Sequence, residues 1–286
     1  MRLAVLVPSA DYKAEWQWAF EPQAAPLRAA GATVDAIEWT ADSDFAGYDL
    51  VLPLVAWGYH LKFGEWLALL DRFEKARLAV ANPVPVLRWN SDKAYLAELA
   101  GYGVATVPSL AFASFGEQAL AHARDEFECA ELVVKPTISA SAYGTYRLGP
   151  GDPFPEQVRG WRMLVQPWIG EIVHSGEWSL IYFGGEFSHA VAKVPRPGEF
   201  RVQPEYGGII ARCEPPPGSR ALAEAALAAA PAPTTYARID IVVGNSGELQ
   251  VMELELVEPA LFLAEAPEAG AAFARAVLSA AEAARE

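Results

Sequence analysis

The first third of the chain alternates between two hydrophobic periods. Short and nearly continuous apolar runs are typical of strands buried in a parallel sheet, and they cover residues 2–8, 33–38, 48–55 and 79–83. Apolar positions at helical spacing separate these runs, over residues 14–30 and 62–77. Strands that alternate with helices predict a small open α/β domain. No GxGxxG motif is present, so a dinucleotide-binding fold is not indicated.

The rest of the chain mixes the two periods without that regular alternation, and a second unit therefore starts near Arg88. Strand patterns occupy residues 131–136 and 163–169, and a hairpin with strands 178–183 and 187–194 is expected around Gly184-Gly185. Helical patterns cover residues 91–101, 114–124, 218–230 and 270–285. A stretch rich in Pro, Gly and charge predicts a long irregular loop over residues 196–217.

The strand pattern near the C-terminus brings three carboxylates together. Asp240 lies on one strand, a turn follows at residues 244–247, and Glu253 and Glu255 lie on the returning strand. Side chains two apart on a strand share a face, and a hairpin folds Asp240 back beside the two glutamates. An all-oxygen cluster on an apolar sheet needs a cation and favours Mg²⁺ or Mn²⁺, which usually also binds phosphate oxygens. The alternative is a set of solvated acidic side chains without a metal.

Composition narrows the classes of protein. The 286 residues are 52% hydrophobic and 20% charged, as in a globular protein with a large core. A net charge of −14 and the lack of a Lys/Arg run argue against nucleic-acid binding. No apolar run approaches the ~20 residues of a membrane span. Two isolated cysteines, Cys129 and Cys213, argue against zinc and iron–sulfur sites and suit a reducing cytoplasm.

Two lysines lie where a phosphate could meet the chain. Lys135 ends an apolar strand, and the small residues of the following loop, 139–144, would let backbone N–H groups approach phosphate oxygens. Lys93 falls in the first turn of the helix predicted over 91–101, where a cation is unfavourable unless an anion also binds there. Both could equally be surface lysines, with Asp92 countering Lys93. The Walker A pattern GxxxxGK[ST] is absent.

The strand end Gln166-Pro167-Trp168-Ile169 offers backbone groups without sheet partners, because Pro167 cannot donate a hydrogen bond. Free backbone groups beside apolar side chains suit a flat adenine base, although the segment could also be a simple hinge. Glu171 and Glu177 follow, and either could reach ribose hydroxyl groups.

Three cationic side chains are candidates to act beside the carboxylates: Arg238 on the same strand face as Asp240, Arg201 in the long loop, and Lys193 on the preceding hairpin. Each would either neutralise the acids or hold a phosphoryl group during its transfer. The histidines lack metal-ligand spacing and are interpreted as structural, His60 with the least support: His60, His122, His174 and His189. No GxSxG and no Cys–His arrangement indicates acyl-enzyme chemistry.

These segments occur in the order found in the ATP-grasp ligases, which the chain resembles over nearly its whole length. That family includes glutathione synthetase, D-alanine–D-alanine ligase and the ribosomal-protein glutamate ligases. The matching residues are Lys93, Val133-Val134-Lys135-Pro136, the loop 139–144, Gln166-Pro167-Trp168-Ile169, Arg238-Ile239-Asp240, and Glu253-Leu254-Glu255 with Pro259. Within the family, residues 89–96 and 185–191 are most similar to the cycloserine-biosynthesis cyclo-ligases.

One position departs from the family pattern. Many members have Asn where Glu255 stands, so this site carries one more negative charge. The extra charge still suits two Mg²⁺ ions that bridge ATP phosphates. Detailed functional assignments from glutathione synthetase or the D-alanine ligase therefore apply less closely to this chain.

The resemblance implies an N-terminal α/β domain over residues 1–87 and then a two-lobed ATP-grasp fold, with a central lobe over 88–165 and a C-terminal lobe over 166–286. It implies an ADP-forming ligase that activates a small-molecule carboxylate as an acyl phosphate for attack by an amine-type nucleophile. The attack could be intramolecular, as in the cyclo-ligases. Family members are often dimers, although no pattern here marks a dimer face. A kinase on the same fold and a nucleotide-binding protein without turnover are the alternatives.

The resemblance also implies roles for the matching residues. Lys93 and Lys135 would hold the α- and β-phosphates of ATP, while Ser139, Ser141 and Gly144 belong to the loop that closes over the triphosphate. Adenine would bind at Gln166, Pro167, Trp168 and Ile169, and ribose at Glu171 or Glu177. Two Mg²⁺ ions, or Mn²⁺, would bind Asp240, Glu253 and Glu255. Arg238, Arg201 and Lys193 would stabilise charge on the transferred group.

The acceptor pocket is expected between the first domain and the nucleotide. Trp57, Tyr59 and His60 follow the third strand, at the edge where parallel sheets present ligands. Aromatic side chains after a core strand often only pack, so this placement is a hypothesis.

Overall fold

Strands and helices are described in a computed structural model over residues 1–199, 201–202 and 207–285. The strands are β1 Arg2–Val7, β2 Thr33–Glu38, β3 Leu50–Leu52, β4 Leu110–Phe112, β5 Leu132–Pro136, β6 Tyr146–Leu148, β7 Met163–Pro167, β8 Glu177–Phe183, β9 Glu186–Val194, β10 Ile209–Cys213, β11 Tyr236–Val243 and β12 Leu249–Glu255. The α-helices are α1 Gln17–Ala29, α2 Phe63–Ala76, α3 Val84–Asn90, α4 Tyr95–Gly101, α5 Glu117–Glu126, α6 Ile172–Ser175, α7 Ser219–Ala228 and α8 Gly270–Ala283. The parallel first sheet and the antiparallel sheets that follow confirm the predicted mixed α/β and α+β class.

The N-terminal sheet is parallel, with strand order β2-β1-β3. Alternate residues of β1 enter different cores: Leu3 and Val5 pack with residues of α1, and Ala4 and Leu6 pack with residues of α2. Burial on both faces explains the continuous apolar run of this strand. The strand predicted over 79–83 is wrong in extent, because its described pairing is limited to one parallel bridge between Val80 and Val51 of β3.

A four-stranded antiparallel sheet follows, in the order β4-β7-β5-β6. Val134 of β5 pairs with Val165 of β7 on one side and Tyr146 of β6 on the other. Helix α5 covers this sheet through Leu120 and Ala123. The outer strands β4 and β6 have three residues each, too few for a hydrophobic period to show in the sequence.

The third sheet is antiparallel, with the order β10-β9-β8-β11-β12. Its two central hairpins, β8–β9 and β11–β12, confirm the hairpins predicted around 184–185 and 244–247. The loop predicted over 196–217 is wrong in part, because Ile209–Cys213 pairs with β9. This edge strand is largely exposed and therefore lacks a buried alternation. Residues 200 and 203–206 of the predicted loop lie outside the described residues.

The helix predicted over 91–101 forms only from Tyr95, as α4, and the separate helix α3 ends before it at Asn90. Lys93 therefore lies in the turn between them and not in the first turn of a helix. Asp92 accepts a hydrogen bond from the Ala94 N–H at 3.0 Å, which stabilises the turn.

Side chains from these helices cover the free edge of β12. Asn90 donates to the Leu254 carbonyl at 2.7 Å and accepts from the Leu256 N–H at 2.7 Å. The Leu254 N–H donates to the Tyr95 hydroxyl at 2.8 Å. Backbone groups at an edge strand need such partners when they are buried. These bonds fix the strand that carries the predicted metal ligands.

Helix α8 joins the first and last sheets. It packs on α1 and β8, and its Phe273 and Val277 are fully buried in a core that also holds Leu3 and Phe183. Burial of each such side chain stabilises the fold by about 1.5–3 kcal/mol. Asn82 adds two buried hydrogen bonds of 2.9 Å to carbonyls of β11 and of the segment after β12. The first domain is thus attached directly to the last sheet.

The division into 1–87, 88–165 and 166–286 remains a proposal. Helix α3 runs across residue 87, and strand β7 runs across residue 165. None of the described helices combines the length and apolarity needed to cross a bilayer.

Candidate active site

The three predicted carboxylates converge at the β11–β12 hairpin. Asp240 pairs with Glu253 across the two strands, and Arg238 pairs with Glu255. One oxygen of each of Asp240, Glu253 and Glu255 lies within 4.8 Å of the others. This spacing of oxygen-only ligands fits a hard divalent cation, as the sequence predicts.

Arg238 is the main counter-ion of this cluster. Its guanidinium donates to both oxygens of Asp240 at 3.0–3.2 Å and also contacts Glu255. The Ser179 hydroxyl donates to Asp240 at 2.5 Å from the neighbouring strand β8. Burial alone would raise the pKa of Asp240, but the charges of Arg238 and Lys193 outweigh it and hold that pKa below its usual range. Asp240 is therefore ionised at neutral pH.

Lys193 and Lys93 approach the acids from opposite sides. Lys193 contacts Glu177 and lies 3.2 Å from Asp240. The Lys93 ammonium lies 2.6 Å from Glu253 and donates to the Ser139 carbonyl at 2.8 Å. Lys93 therefore joins the predicted phosphate loop, residues 139–144, to the carboxylate cluster.

Two carboxyl groups of the site have raised pKa values. Burial raises the pKa of Glu177 to about 7 against the charge of Lys193. Burial likewise raises the pKa of Glu255 to about 7 against the charge of Arg238. A divalent cation or another positive charge bound beside either group would lower its pKa, and the carboxyl group would then ionise.

Lys135 contrasts with the other cations of the site. It is buried at the end of β5, yet no described residue offers it an ion-pair partner within 4.0 Å. Burial lowers the pKa of its ammonium, and the charge of Lys93 adds to this effect. Close by, the Thr137 hydroxyl is also buried without a hydrogen-bond partner among the described residues. Unsatisfied buried groups of this kind fit an anionic ligand.

The small-residue loop has a backbone that few residues adopt freely. Ser141, Ala142 and Gly144 have φ angles of 49°, 55° and 64°. A Cβ atom at residue 144 would lie 2.9 Å from Cγ of Pro136, so glycine is required there. Strain of this kind collects at segments that bind ligands.

The predicted adenine segment bridges two sheets. Gln166 is buried and donates to the Ser109 hydroxyl at 2.9 Å. Asn245, in the β11–β12 turn, donates to the Trp168 carbonyl at 2.9 Å, and the Arg147 guanidinium lies 4.0 Å from the Trp168 ring centre. Ile169 is buried in a small apolar cluster between the sheets. The segment thus joins the metal hairpin to the central sheet.

The two ribose candidates differ in position. Glu171 precedes helix α6 and accepts a hydrogen bond of 2.5 Å from Ser175. Glu177 begins β8 and is buried against Lys193. Neither position decides which glutamate meets a ribose, and both remain predictions.

The described contacts of Arg201 are with Glu199, outside the carboxylate cluster. Its guanidinium pairs with Glu199 through two hydrogen bonds of 3.1 and 2.7 Å. The next residue, Val202, is buried with Ile169 and Val242. Burial of Val202 anchors this part of the loop near the adenine segment.

Sequence reasoning missed Thr137 and Glu258. Glu258 is half-buried, and burial together with the charge of Glu255 raises its pKa to about 8. The dipeptide Glu258-Pro259, three residues after the end of β12, was its only sequence signal. Thr137 had none, since a single hydroxyl after Lys135-Pro136 looks like any loop residue.

Comparison with known proteins identifies the family. The family model for the D-cycloserine synthetase DcsG N-terminal domain matches residues 4–82. The cycloserine biosynthesis protein DcsG of Streptomyces lavendulae is 31% identical over 271 residues, covering 87% of this chain and 89% of that protein. The chain belongs to the DcsG family of ATP-grasp ligases.

Solved structures agree with this placement in the DcsG family. The crystal structure of D-cycloserine synthetase DcsG has a TM-score of 0.84 and 27% identity, with 99% of this chain and 100% of that chain covered. The D-alanine–D-alanine ligase of Bacillus anthracis, complexed with ATP, has a TM-score of 0.72 and 17% identity, with 100% and 98% covered. The ligase PsnB, complexed with minimal precursor, Mg and ADP, has a TM-score of 0.64 and 16% identity, with 98% of each chain covered.

Membership of the DcsG family confirms the predicted ATP-grasp ligase of the carboxylate–amine class. It also confirms the predicted α/β domain followed by an ATP-grasp fold. The roles of individual site residues remain predictions, now supported by their geometry.

Proposed function

We propose that this enzyme uses ATP to convert a small-molecule carboxylate to an acyl phosphate, which an amine-type nucleophile then attacks. The products are ADP, phosphate and an amide, which is cyclic if the nucleophile belongs to the same molecule. The observation that carries the proposal is the ion pair between Lys93 and Glu253, at 2.6 Å. It brings the α3–α4 turn, which also contacts the loop after β5, next to the carboxylate trio of the last sheet.

Asp240, Glu253 and Glu255 would hold the metal, which we propose to be two Mg²⁺ ions, with Mn²⁺ as the alternative. The donor set fits, because all three ligands are oxygens and lie within 4.8 Å of one another. When bound, Mg²⁺ supplies positive charge that neutralises the triphosphate. The additional carboxylate of Glu255, in place of the Asn of many relatives, strengthens this attraction.

Lys93 and Lys135 would hold the α- and β-phosphates. Lys135 is already buried without an anionic partner among the described residues, so a phosphate would relieve its unfavourable desolvation. The loop of Ser139, Ser141 and Gly144 would close over the triphosphate and exclude water. Adenine would lie at residues 166–169, and ribose at Glu171 or Glu177.

Lys193, Arg238 and Arg201 would stabilise negative charge on the transferred phosphoryl group. Lys193 and Arg238 are held in place by Asp240, so their orientation does not depend on the substrate. Preorganised cations of this kind lower the barrier to phosphoryl transfer without a general base. Arg201 would join them from the loop that Val202 anchors.

The acceptor would lie beside Trp57, Tyr59 and His60, after the third parallel strand. The buried Nδ1 of His60 has no hydrogen-bond partner among the described residues. Burial and the charge of Lys93 lower the pKa of His60 to about 4, so its ring is neutral at pH 7. A substrate group could bind this nitrogen without bringing a second charge.

The test is a phosphate-release assay with MgATP and a panel of amino acids, dipeptides and O-ureidoserine-type compounds. A ligase gives ADP, free phosphate and a new amide in equal amounts, and EDTA abolishes the reaction. A phosphorylated product without free phosphate would indicate a kinase. ATP binding without turnover for every acid would indicate a non-catalytic nucleotide-binding protein. Mass analysis separates a cyclic product from a linear one.

The variant Glu253→Gln tests the role of a proposed metal ligand in the same assay. We expect it to fold, to bind nucleotide weakly and to lose about 10²–10³-fold in rate, because a metal ligand is removed. A homodimeric state and a cytoplasmic location remain predictions, which sedimentation and cell fractionation test.

A further inference from the structure

Glu258 lies near the active site and has no counter-ion within the described part of the chain. The three carboxylates of the metal cluster and Glu177 each contact a lysine or arginine within 4.0 Å. The ribose candidate Glu171 has no such contact among the described residues, but it accepts a hydrogen bond from Ser175. Among the residues that the structure describes, none forms an ion pair or a hydrogen bond with the Glu258 side chain. A half-buried carboxylate without a partner has lost hydration and gained nothing in return from the protein.

The backbone around Glu258 is firmly held. Val257 is buried in the same apolar core as Tyr59, and its carbonyl accepts a hydrogen bond of 3.2 Å from the Tyr236 hydroxyl. Pro259 is buried and restricts the chain on the other side. Glu258 is therefore presented from a fixed position and does not belong to a solvated surface loop.

This position lies between the metal cluster and the first domain. Glu258 is not part of the group whose oxygens lie within 4.8 Å of one another. Glu255, three residues earlier, belongs to that group, and Val257, directly before Glu258, is buried in the same core as Tyr59 of the proposed acceptor side. In keeping with this position, burial and the charge of Glu255 raise the pKa of Glu258, and the charges of Arg238 and Lys93 oppose that rise.

We propose that Glu258 determines substrate specificity by binding the ammonium group of an amino-acid-like substrate. The proposal rests on the proposed ligase function and names the class of its acid. In an α-amino acid the ammonium group is attached to the carbon beside the carboxyl group, so both groups must bind within one site. A carboxylate binds a primary ammonium through charge-assisted hydrogen bonds. One isolated carboxylate is a poor site for a divalent ion, which needs several oxygen ligands.

The experiment compares pairs of substrates in the phosphate-release assay. Each α-amino acid of the panel, including O-ureidoserine, is tested beside the same acid without its amino group, with the parent enzyme and with Glu258→Gln. We expect the parent to prefer the amino acid. Glu258→Gln should raise the KM for the amino acid about 10- to 100-fold and change the KM for the desamino acid less than about threefold. The KM for ATP should stay unchanged.

Two further variants separate recognition from a structural role. Glu258→Asp keeps the charge and should recover part of the preference for the amino acid. Glu265→Gln removes an exposed acid of the same segment and should behave like the parent. Unchanged binding of MgADP by Glu258→Gln shows that it is folded, and Glu258→Asp replaces it in the comparison if it is not.

The outcomes distinguish the two proposals. Turnover with an unchanged preference in both Glu258 variants, or a parent that prefers the desamino acid, overturns the role of Glu258 and leaves the ligase function intact. Failure of every acid to support phosphate release overturns the ligase function, and the role of Glu258 with it.

Discussion

Two parts of the active site differ in whether their buried charged and polar groups have partners. On the last sheet, Asp240, Arg238 and Lys193 form a network in which each charge contacts an opposite one. At the end of β5, Lys135 and the Thr137 hydroxyl are buried without partners among the described residues. The charges of the first, paired part balance each other in the free protein, whereas the buried polar groups of the second, unpaired part need a ligand as their partner. Stability and ligand binding should therefore respond differently to substitutions in the two parts.

Asp240→Asn should have the largest effect on stability. It leaves Arg238 and Lys193 buried with too little negative charge, and breaking a buried ion pair costs about 3–5 kcal/mol. Urea unfolding should show this loss in the free energy of unfolding, and ATP turnover should disappear. Asp125→Asn, at an exposed helix position, is the matched control. A loss equal to that of the control would mean that the network does not support the fold.

Lys135→Gln should reduce activity without loss of stability. The substitution removes a buried charge that forms no ion pair within 4.0 Å among the described residues and whose pKa burial lowers, so the free energy of unfolding should stay constant or rise. We expect kcat/KM for ATP to fall about 100-fold, comparable to the loss of one preorganised donor. Lys93→Gln is the matched comparison, because it leaves Glu253 unpaired and should lower both activity and stability. Equal stability losses in the two variants would contradict the contrast between the two parts.

The sequence predicts the paired part of the site better than the unpaired part. Asp240, Glu253 and Glu255 are set by strand periodicity and one hairpin, which are local, and the structure brings them together as expected. Lys93 was assigned to the wrong local structure, because the side chains that define the break between α3 and α4 bind a strand about 160 residues away. Contacts of that kind leave no period in the sequence.

Glu258 and Thr137 show the same limit. What makes them notable is the lack of a partner in the folded chain, and a missing contact has no sequence pattern. The edge strand β10 was missed for a related reason, since its exposed residues show no alternation. Core strands such as β1 were predicted because burial on both faces selects apolar residues at every position.

Gly144→Ala tests the loop of the unpaired part. Alanine at φ 64°, with its Cβ 2.9 Å from Pro136, should cost about 1–2 kcal/mol and displace the loop. The KM for ATP should rise about 3- to 10-fold. Gly151→Ala is the control, because its φ is 85° and nothing lies within 4 Å of the added atom. If both variants raise the KM equally, backbone strain anywhere in this lobe, and not the fit of the loop, explains the effect.

His60→Gln gives the smallest expected effect and extends the comparison to pH. The His60 ring lies 5.5 Å from that of Tyr143 in the loop, and burial and Lys93 lower its pKa to about 4 from the ordinary 6.5. Below pH 6.5 the unfolded chain gains a proton that folded His60 resists, so the parent loses stability as the pH falls towards 4. The variant lacks this loss. After allowance for the partial exposure of the ring, the difference in free energy of unfolding between the parent and His60→Gln should change by about 1–2 kcal/mol between pH 7 and pH 4.5.

Urea unfolding at both pH values measures this difference, and His174→Gln, at an exposed position, provides the control. If the parent and His60→Gln lose stability in parallel, the buried imidazole takes up its proton without cost. In that case the unpaired part of the site would not extend to the first domain.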